Sequence, residues 1–416
     1  MVIAAAIAVP AFTSAQTAPT TTDTTWVASW GAAQQIPEPQ NALPEADITH
    51  ATIRQTVHLS AGGSALRVRL SNAFGTTPLR FTAVHVALAL VPDQSAIDPA
   101  TDRPALFSGS EQVAIPAGAE YVSDPIDLSV TPLTNLTVTF SLDQAPQQQT
   151  GHPGSRATAF LAHGIPVSAL SMTGTALPGT KSIEHWYFLS GIDVATSTNT
   201  PSSSIVALGD SITDGHASTT NGNDRWTDVL AQRIEADPAT RGIGVVNAGI
   251  GGNHLLTDGL GPNALARFNR DVLARPGAKW VILLEGVNDL GALAPSGNAT
   301  AAQHTDLVQR ILAAYQQIIA RAHAQGLLVY GATITPYVGS DYYHPDALSE
   351  ADRQRINTWI RREKYFDAVI DFDQVVRDPA HPDRLLPTLD CGDHLHPSPA
   401  GYRVMGEAIP LNLFRR

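Results

Sequence analysis

Ser204-Ile205-Val206-Ala207-Leu208-Gly209-Asp210-Ser211-Ile212-Thr213 is the stretch on which the fold turns. Ile205–Leu208 is a short apolar run that closes on Gly-Asp-Ser, and it reads as a strand buried on both faces. Helical periods and further short apolar runs alternate after it. Trp226, Val229, Leu230 and Ile234 mark a helix, Val245–Val246 a strand, Leu265, Phe268 and Val272 a helix, and Trp280–Leu284 a strand. A long helix carrying Leu307, Ile311, Tyr315 and Ile318 leads into a strand at Leu327–Ile334. The next helix buries Ile356, Trp359 and Ile360, with Ser349 as its cap and Asp352 three residues on. Val369–Ile370 is a fifth strand, and Ser398-Pro399 opens the last helix. Strands alternating with helices predict an α/β domain over 203–416, a parallel sheet with helices on both faces. Such sheets place their sites at the carboxyl ends of the strands.

Upstream the period changes to two. Ile53, Val57 and Leu59 alternate with Arg54, Thr56 and His58, and after Gly62-Gly63 the residues Leu66, Val68 and Leu70 alternate with Arg67 and Arg69. This pattern predicts a hairpin with one buried face. Thr82–Leu90, Tyr121–Leu128 and Leu133–Leu142 are further strand candidates, and no helical period stands before residue 200. Residues 24–195 are therefore expected to form an antiparallel β-sandwich. The polar stretch Thr196–Ser204 marks the boundary between the two halves.

The 416 residues suffice for two domains, and 43% hydrophobic with 15% charged residues is a globular balance. A net charge of −12 excludes a nucleic-acid binder, which needs clustered Lys and Arg; a neutral substrate fits better. Met1–Ala11 is apolar and is followed by Thr13-Ser14-Ala15. It has the look of the core and cleavage region of a secretory signal, without the usual positively charged start. The expectation is a signal and linker over 1–20, no integral membrane segment, and a secreted or periplasmic protein. Cys391 stands alone, so no intramolecular disulfide can form. The oligomeric state leaves no trace in the sequence.

Four polar blocks follow predicted strands or precede the last helix: Gly209-Asp210-Ser211-Ile212-Thr213, Asn247 to Asn253, Gly286-Val287-Asn288-Asp289, and Asp393 to Pro397. The carboxyl-end rule alone brings the first three to one crevice. A serine hydroxyl needs a base to take its proton, and the base needs a carboxylate to fix its tautomer. Ser211, His396 and Asp393 supply those three groups. A developing oxyanion needs donors already in place. The backbone N–H groups of Ser211 and Gly252 and the amide of Asn288 can provide them.

These blocks resemble the four signature blocks of the SGNH (GDSL-like) hydrolase superfamily, in the family's order, over about residues 204–416. The resemblance implies a flavodoxin-like three-layer α/β/α fold and ester hydrolysis through an acyl-enzyme, with no cofactor. It assigns Ser211 as nucleophile and donor, Gly252 and Asn288 as donors, and Asp393 with His396 as acid and base partners. Gly251 stands where many members carry Ser, which leaves Gly251 as an alternative donor. The opening Trp26–Gly31 and the β-domain resemble the leading module of some secreted bacterial members that act on esterified polysaccharides. An acylated carbohydrate is the expected substrate, with a longer-chain lipid ester and a non-catalytic carbohydrate-binding protein as alternatives.

Blander roles suit the remaining polar residues. Asp210 and Asp289 read as turn and loop carboxylates that bond backbone N–H groups. His394 and His396 lack the helical spacing of hydrolytic zinc motifs, so no metal is expected. Cys391 reads as inert packing, and Trp26 and Trp30 as buried anchors. His254 and the tyrosines Tyr337, Tyr342 and Tyr343 after the fourth strand are candidates for the substrate rim.

Overall fold

The computed structural model describes residues 24–173, 179–197, 203–293, 299–362 and 364–415. The expected signal over 1–20 lies outside them. The C-terminal half is built on one parallel sheet of five strands: Ser204–Gly209, Gly244–Gly249, Ala278–Leu284, Leu328–Ala332 and Ala368–Ile370. Their spatial order is second, first, third, fourth, fifth, every pair parallel. That is the flavodoxin-like order, with its crevice where the chain reverses direction between the first and third strands. All six residues of the first strand are buried, which is why it reads as an uninterrupted apolar run. Helices Trp226–Ala236, Ala301–His323, Ala347–Arg362 and Pro399–Ala408 bury their apolar faces in the same core. One cap differs from expectation. Asp346, not Ser349, accepts the Ser349 N–H at 2.8 Å, and Asp352 is taken by His304 at 2.6 Å. Among the described residues no helix is long and apolar enough to cross a membrane.

The N-terminal half stacks a four-stranded antiparallel sheet on a six-stranded one around a shared core that includes Ile53, Val57, Leu66, Val68, Phe81 and Phe140. The expected hairpin does not form. Ala51–His58 pairs with Asn135–Leu142 and Ala159–His163 in the larger sheet, whereas Leu66–Ser71 pairs with Leu189–Ser197 and Glu120–Val122 in the smaller. The Gly62-Gly63 segment arches between the sheets. A Cβ on Gly62 would lie 2.6 Å from the Val130 carbonyl oxygen, so glycine is needed for close approach here rather than for a tight turn. Arg54, expected on a solvent face, is wholly buried. The segment around Ile165–Ala169 roofs that face, and the guanidinium donates to Thr139 Oγ1 and to the carbonyls of Ser95, Val167 and Ala169 at 2.6–3.1 Å. Each of its three nitrogens thus finds an acceptor within the protein. Trp30 is the expected anchor, packed edge-on to Trp186 at 4.8 Å.

The two halves share a seam along the edge of the parallel sheet. Thr24–Gly31 lies against Gly244–Gly249. A Cβ on Gly244 would come within 2.1 Å of the Ala28 carbonyl oxygen. Val245 N–H donates to Ser60 Oγ at 2.8 Å, Ala28 N–H to the Pro276 carbonyl at 3.0 Å, and Arg275 to the Ser190 carbonyl at 2.9 Å. The sandwich therefore covers an edge that would otherwise lie open.

Candidate active site

The first strand ends at Gly209, and Asp210 turns the chain into the short helix Ser211–Asp214. Asp210 caps that helix, its Oδ1 accepting the Ile212 N–H at 2.9 Å. Burial pushes the Asp210 carboxyl up to about 7. Ser211 thus occupies the first helical position at the carboxyl end of the first strand, where a backbone N–H has no intrahelical partner. Its Oγ lies 2.7 Å from His396 Nε2.

The loop before the last helix supplies the other two groups. Asp393 Oδ1 accepts the N–H groups of Leu395 and His396 at 2.9 and 2.8 Å, and its Oδ2 lies 2.6 Å from His396 Nδ1. Burial alone would raise this carboxyl; the His396 ring and these N–H groups instead hold it well below the usual range. An ionised Asp393 keeps the His396 proton on Nδ1, so Nε2 is left to accept from Ser211. His394, the other histidine of the block, turns away to pair with Asp390 at 2.6 Å. Its backbone is left-handed, at φ 59°. His216, Asp393 and His396 bring ligand-type atoms within 4.8 Å of one another, but the Asp393–His396 contact already engages two of them.

Gly252 and Asn288, the other two expected donors, are each held by local contacts. Gly252 adopts φ +65°, and a Cβ there would press on the Leu260 side chain at 3.1 Å, so the position favours glycine. Asn288 sits in the helix Val287–Ala292 after the third strand and is almost fully buried. One amide hydrogen goes to the Asn253 carbonyl at 2.7 Å, and its Oδ1 accepts the Tyr343 hydroxyl at 2.6 Å. These two bonds fix which way the amide faces and leave its second N–H for a ligand. Tyr343 can come this close because Gly291 stands beneath it: a Cβ there would lie 2.3 Å from the ring. We expect Tyr343→Phe to lower kcat by about three- to ten-fold and to cost about 1–3 kcal/mol of stability, since the buried Asn288 Oδ1 loses its donor while the ring is kept. Steady-state kinetics alongside thermal unfolding checks this.

Beneath these groups lies Arg267, wholly buried. It donates to the Gly209 carbonyl at 2.9 Å, the Ala248 carbonyl at 2.6 Å and Asn253 Oδ1 at 2.8 Å, and pairs with Asp271 and Glu285. One guanidinium thus ties the ends of the first two strands to the loop that holds Gly252 and, through Glu285, to the end of the third strand, ahead of Asn288. Asp289 accepts the N–H groups of Leu255 and Leu256 at 2.8 and 3.0 Å, the loop-bracing role expected of it.

The rim differs in part from expectation. Tyr337 is wholly buried, because the segment after the fourth strand dips into the core before it surfaces, and it cannot border a crevice. Tyr342 is largely exposed and packs edge-on to Tyr343 at 4.7 Å. His254 is half-buried beside Gly259 and near the Asp289 carboxylate. Cys391, expected to be packed away, is exposed, and partial burial of its thiol together with Asp393 pushes it up to about 11, so it stays protonated.

Residues 207–404 match the model of the GDSL-like lipase/acylhydrolase family. This stretch is a GDSL-like lipase/acylhydrolase domain. No curated protein matches the chain. Among solved structures, a lipolytic protein of the G-D-S-L family from Desulfitobacterium hafniense is similar at 25% identity, over 50% of this chain and 97% of its own, with a TM-score of 0.37. A catalytic mutant of an acetylxylan esterase from Geobacillus stearothermophilus is similar at 21% identity, over 51% of this chain and 94% of its own, with a TM-score of 0.38. The GDSL-like domain is thus a carboxylic ester hydrolase.

Three groups near the Ser211–His396 pair have no signal in local spacing. His152, from the β-sandwich, lies buried with Nε2 2.8 Å from Asp214 Oδ1 and Nδ1 2.8 Å from the Ala33 carbonyl oxygen. His216 packs against His396, ring centroids 4.1 Å apart and the planes tilted. Arg156, again from the sandwich, reaches His216. Only a long-range fold could bring these to a GDSL-like site.

Proposed function

We propose that this protein is a serine esterase that removes small acyl groups, acetyl in the first instance, from a carbohydrate. The observation that carries the esterase reading is the 2.7 Å contact between Ser211 Oγ and His396 Nε2, with Asp393 on the far nitrogen. In this reading His396 takes the Ser211 proton as Oγ attacks the ester carbonyl. The oxyanion that develops accepts from the Ser211 and Gly252 N–H groups and from the free N–H of Asn288. His396 then hands its proton to the departing alcohol. An acyl-serine remains, and water, deprotonated by the same imidazole, releases the acid.

Three features support a small acyl group on a neutral alcohol. Ser211 and Asn288 are 7% and 2% exposed, so the acyl end meets an enclosed floor. The exposed Tyr342 beside it offers a flat face of the kind sugars stack on. The acidic balance of the chain disfavours an anionic partner. Rates on aryl esters with acyl chains from two to twelve carbons, and on acetylated sugars, test the reading. Fastest turnover of the acetyl esters is expected; a preference for long chains overturns the acetyl assignment. Export is part of the same proposal, motivated by the apolar run Met1–Ala11. N-terminal sequencing of protein from the culture medium or periplasm checks it, and recovery from the cytosol alone refutes it.

A further inference from the structure

We propose that His216, held in place by Arg156 of the β-sandwich, is a positioning residue for the His396–Asp393 pair, so that the N-terminal half completes the site. The inference rests on the triad reading above. It begins with the loop Gly151–Thr158, which leaves the sandwich and lies on the hydrolase domain.

That loop is fixed by bonds spread along it. His152 pairs with Asp214, and Arg225 donates to the Ser155 carbonyl. The Arg156 carbonyl accepts the Asn221 N–H at 2.9 Å, and Thr158 exchanges two bonds with the Asn221 side chain, each 2.8 Å. Gly154 sits so close that a Cβ would lie 1.9 Å from Asp214 Oδ2. Arg156 itself takes a left-handed backbone at φ 47°, unfavourable for a residue with a side chain and maintained here by these anchors. The strained turn aims the guanidinium at the mouth of the site.

There it meets His216 Nδ1 at 3.2 Å. Guanidinium can only donate, so Nδ1 must accept and the His216 proton belongs on Nε2. Nε2 faces Asp393 Oδ2 at 4.0 Å, the same oxygen that His396 Nδ1 contacts. The His216 ring lies against His396, 37° from parallel. Its backbone is held as well, by the Tyr402 hydroxyl on the His216 carbonyl at 2.7 Å. The charged and titratable groups facing His216 are therefore Arg156, His396, Asp393 and, more remotely, Asp214. Burial, then His396 and Arg156, bring His216 down to about 4, in keeping with a neutral ring at working pH.

The consequence concerns His396. Its imidazole must stay within bonding distance of Ser211 while it picks up and releases a proton, yet Asp393 on its far side is 40% exposed and open to water. A neutral plate against the ring blocks the direction in which it would swing out. Misplacement of a reacting group by about 1 Å can cost up to 10²-fold in rate.

Steady-state hydrolysis of 4-nitrophenyl acetate by the full chain tests this. His216→Ala is expected to lower kcat by about ten-fold or more with KM within about two-fold of wild type, the pattern of lost alignment rather than lost binding. His216→Phe, which keeps a flat ring, is expected to recover part of the loss. Arg156→Ala should lower kcat in the wild-type background and have no further effect beside His216→Ala, because it acts through that ring. Wild-type kcat in His216→Ala overturns the proposal. So does an Arg156→Ala effect of equal size in both backgrounds, which would make Arg156 a direct substrate contact. Thermal unfolding confirms that each variant is folded. The parent reading fails separately, through an active Ser211→Ala enzyme or a wild type that a fluorophosphonate does not label.

Discussion

Ser211→Ala is expected to lower kcat for an aryl acetate by about 10⁴–10⁶-fold, and to abolish labelling by a fluorophosphonate, without loss of the folded state. The size follows from what the substitution removes. Without the hydroxyl no acyl-serine can form, and His396 has no proton to take. What survives is the donor set and whatever alignment the floor imposes on a water molecule, worth on the order of 10³–10⁴ over the uncatalysed reaction in comparable triads. The fold should tolerate the change, since among the described residues Ser211 Oγ bonds only to His396, and the helix it opens is capped by Asp210. Thermal unfolding within a few degrees of wild type, together with the collapse in rate, separates a chemical role from a structural one. Wild-type turnover in this variant rejects the mechanism outright.

Asn288→Ala should cost about 10²–10³ in kcat, the usual consequence of deleting one oxyanion donor. It differs from the serine change in a second respect. The Asn288 amide also satisfies the Asn253 carbonyl and the Tyr343 hydroxyl, so removing it leaves two buried polar groups without partners. Each such orphan costs about 1–3 kcal/mol. A measurable loss of thermal stability should therefore accompany the loss of rate. The effect on kcat must exceed that of Tyr343→Phe, which disturbs the amide's aim but leaves its N–H in place. Equal effects from the two substitutions would show that orientation, not donation, is what Asn288 contributes. Comparing kcat for the three proteins on one acetate ester is enough to decide.

The parallel half was open to reading because each of its elements carries its own periodic signature. Ile205–Leu208 and Trp280–Leu284 are apolar throughout because both faces of the sheet are covered, and the intervening helices show their buried stripes. The sandwich was less open, since alternation reports which face is buried and not which strand is the neighbour. Ile53 and Leu66 therefore looked like two arms of one turn, although they point into one core from opposite sheets. Arg54 was misread for a related reason: a distant segment roofs its face, and nothing near residue 54 announces that roof.

The site divides along the same line. Ser211, Gly252, Asn288, Asp393 and His396 stand in blocks whose residue types are chemically constrained, so composition and position pointed to them. Arg267, Tyr343, His152, Arg156 and His216 act through contacts formed only in the folded chain, such as the 186 positions between His216 and Tyr402. Tyr337 shows the reverse error. An aromatic residue just past a strand end looked like part of an opening, but the loop first passes inward.

The seam along Gly244–Gly249 also bears on how this protein can be divided. A chain started at residue 203 would keep the nucleophile loop, the donor loop and the final helix, yet bare the edge strand Gly244–Gly249 with the Val245 N–H that Ser60 now takes, and leave Asp214 without His152. The hydrolase half is thus no minimal enzyme awaiting an accessory. Its missing flank would be mended by whatever strand came to hand, in the first place that of a sister molecule, and dissection would yield aggregates before it yielded a smaller catalyst.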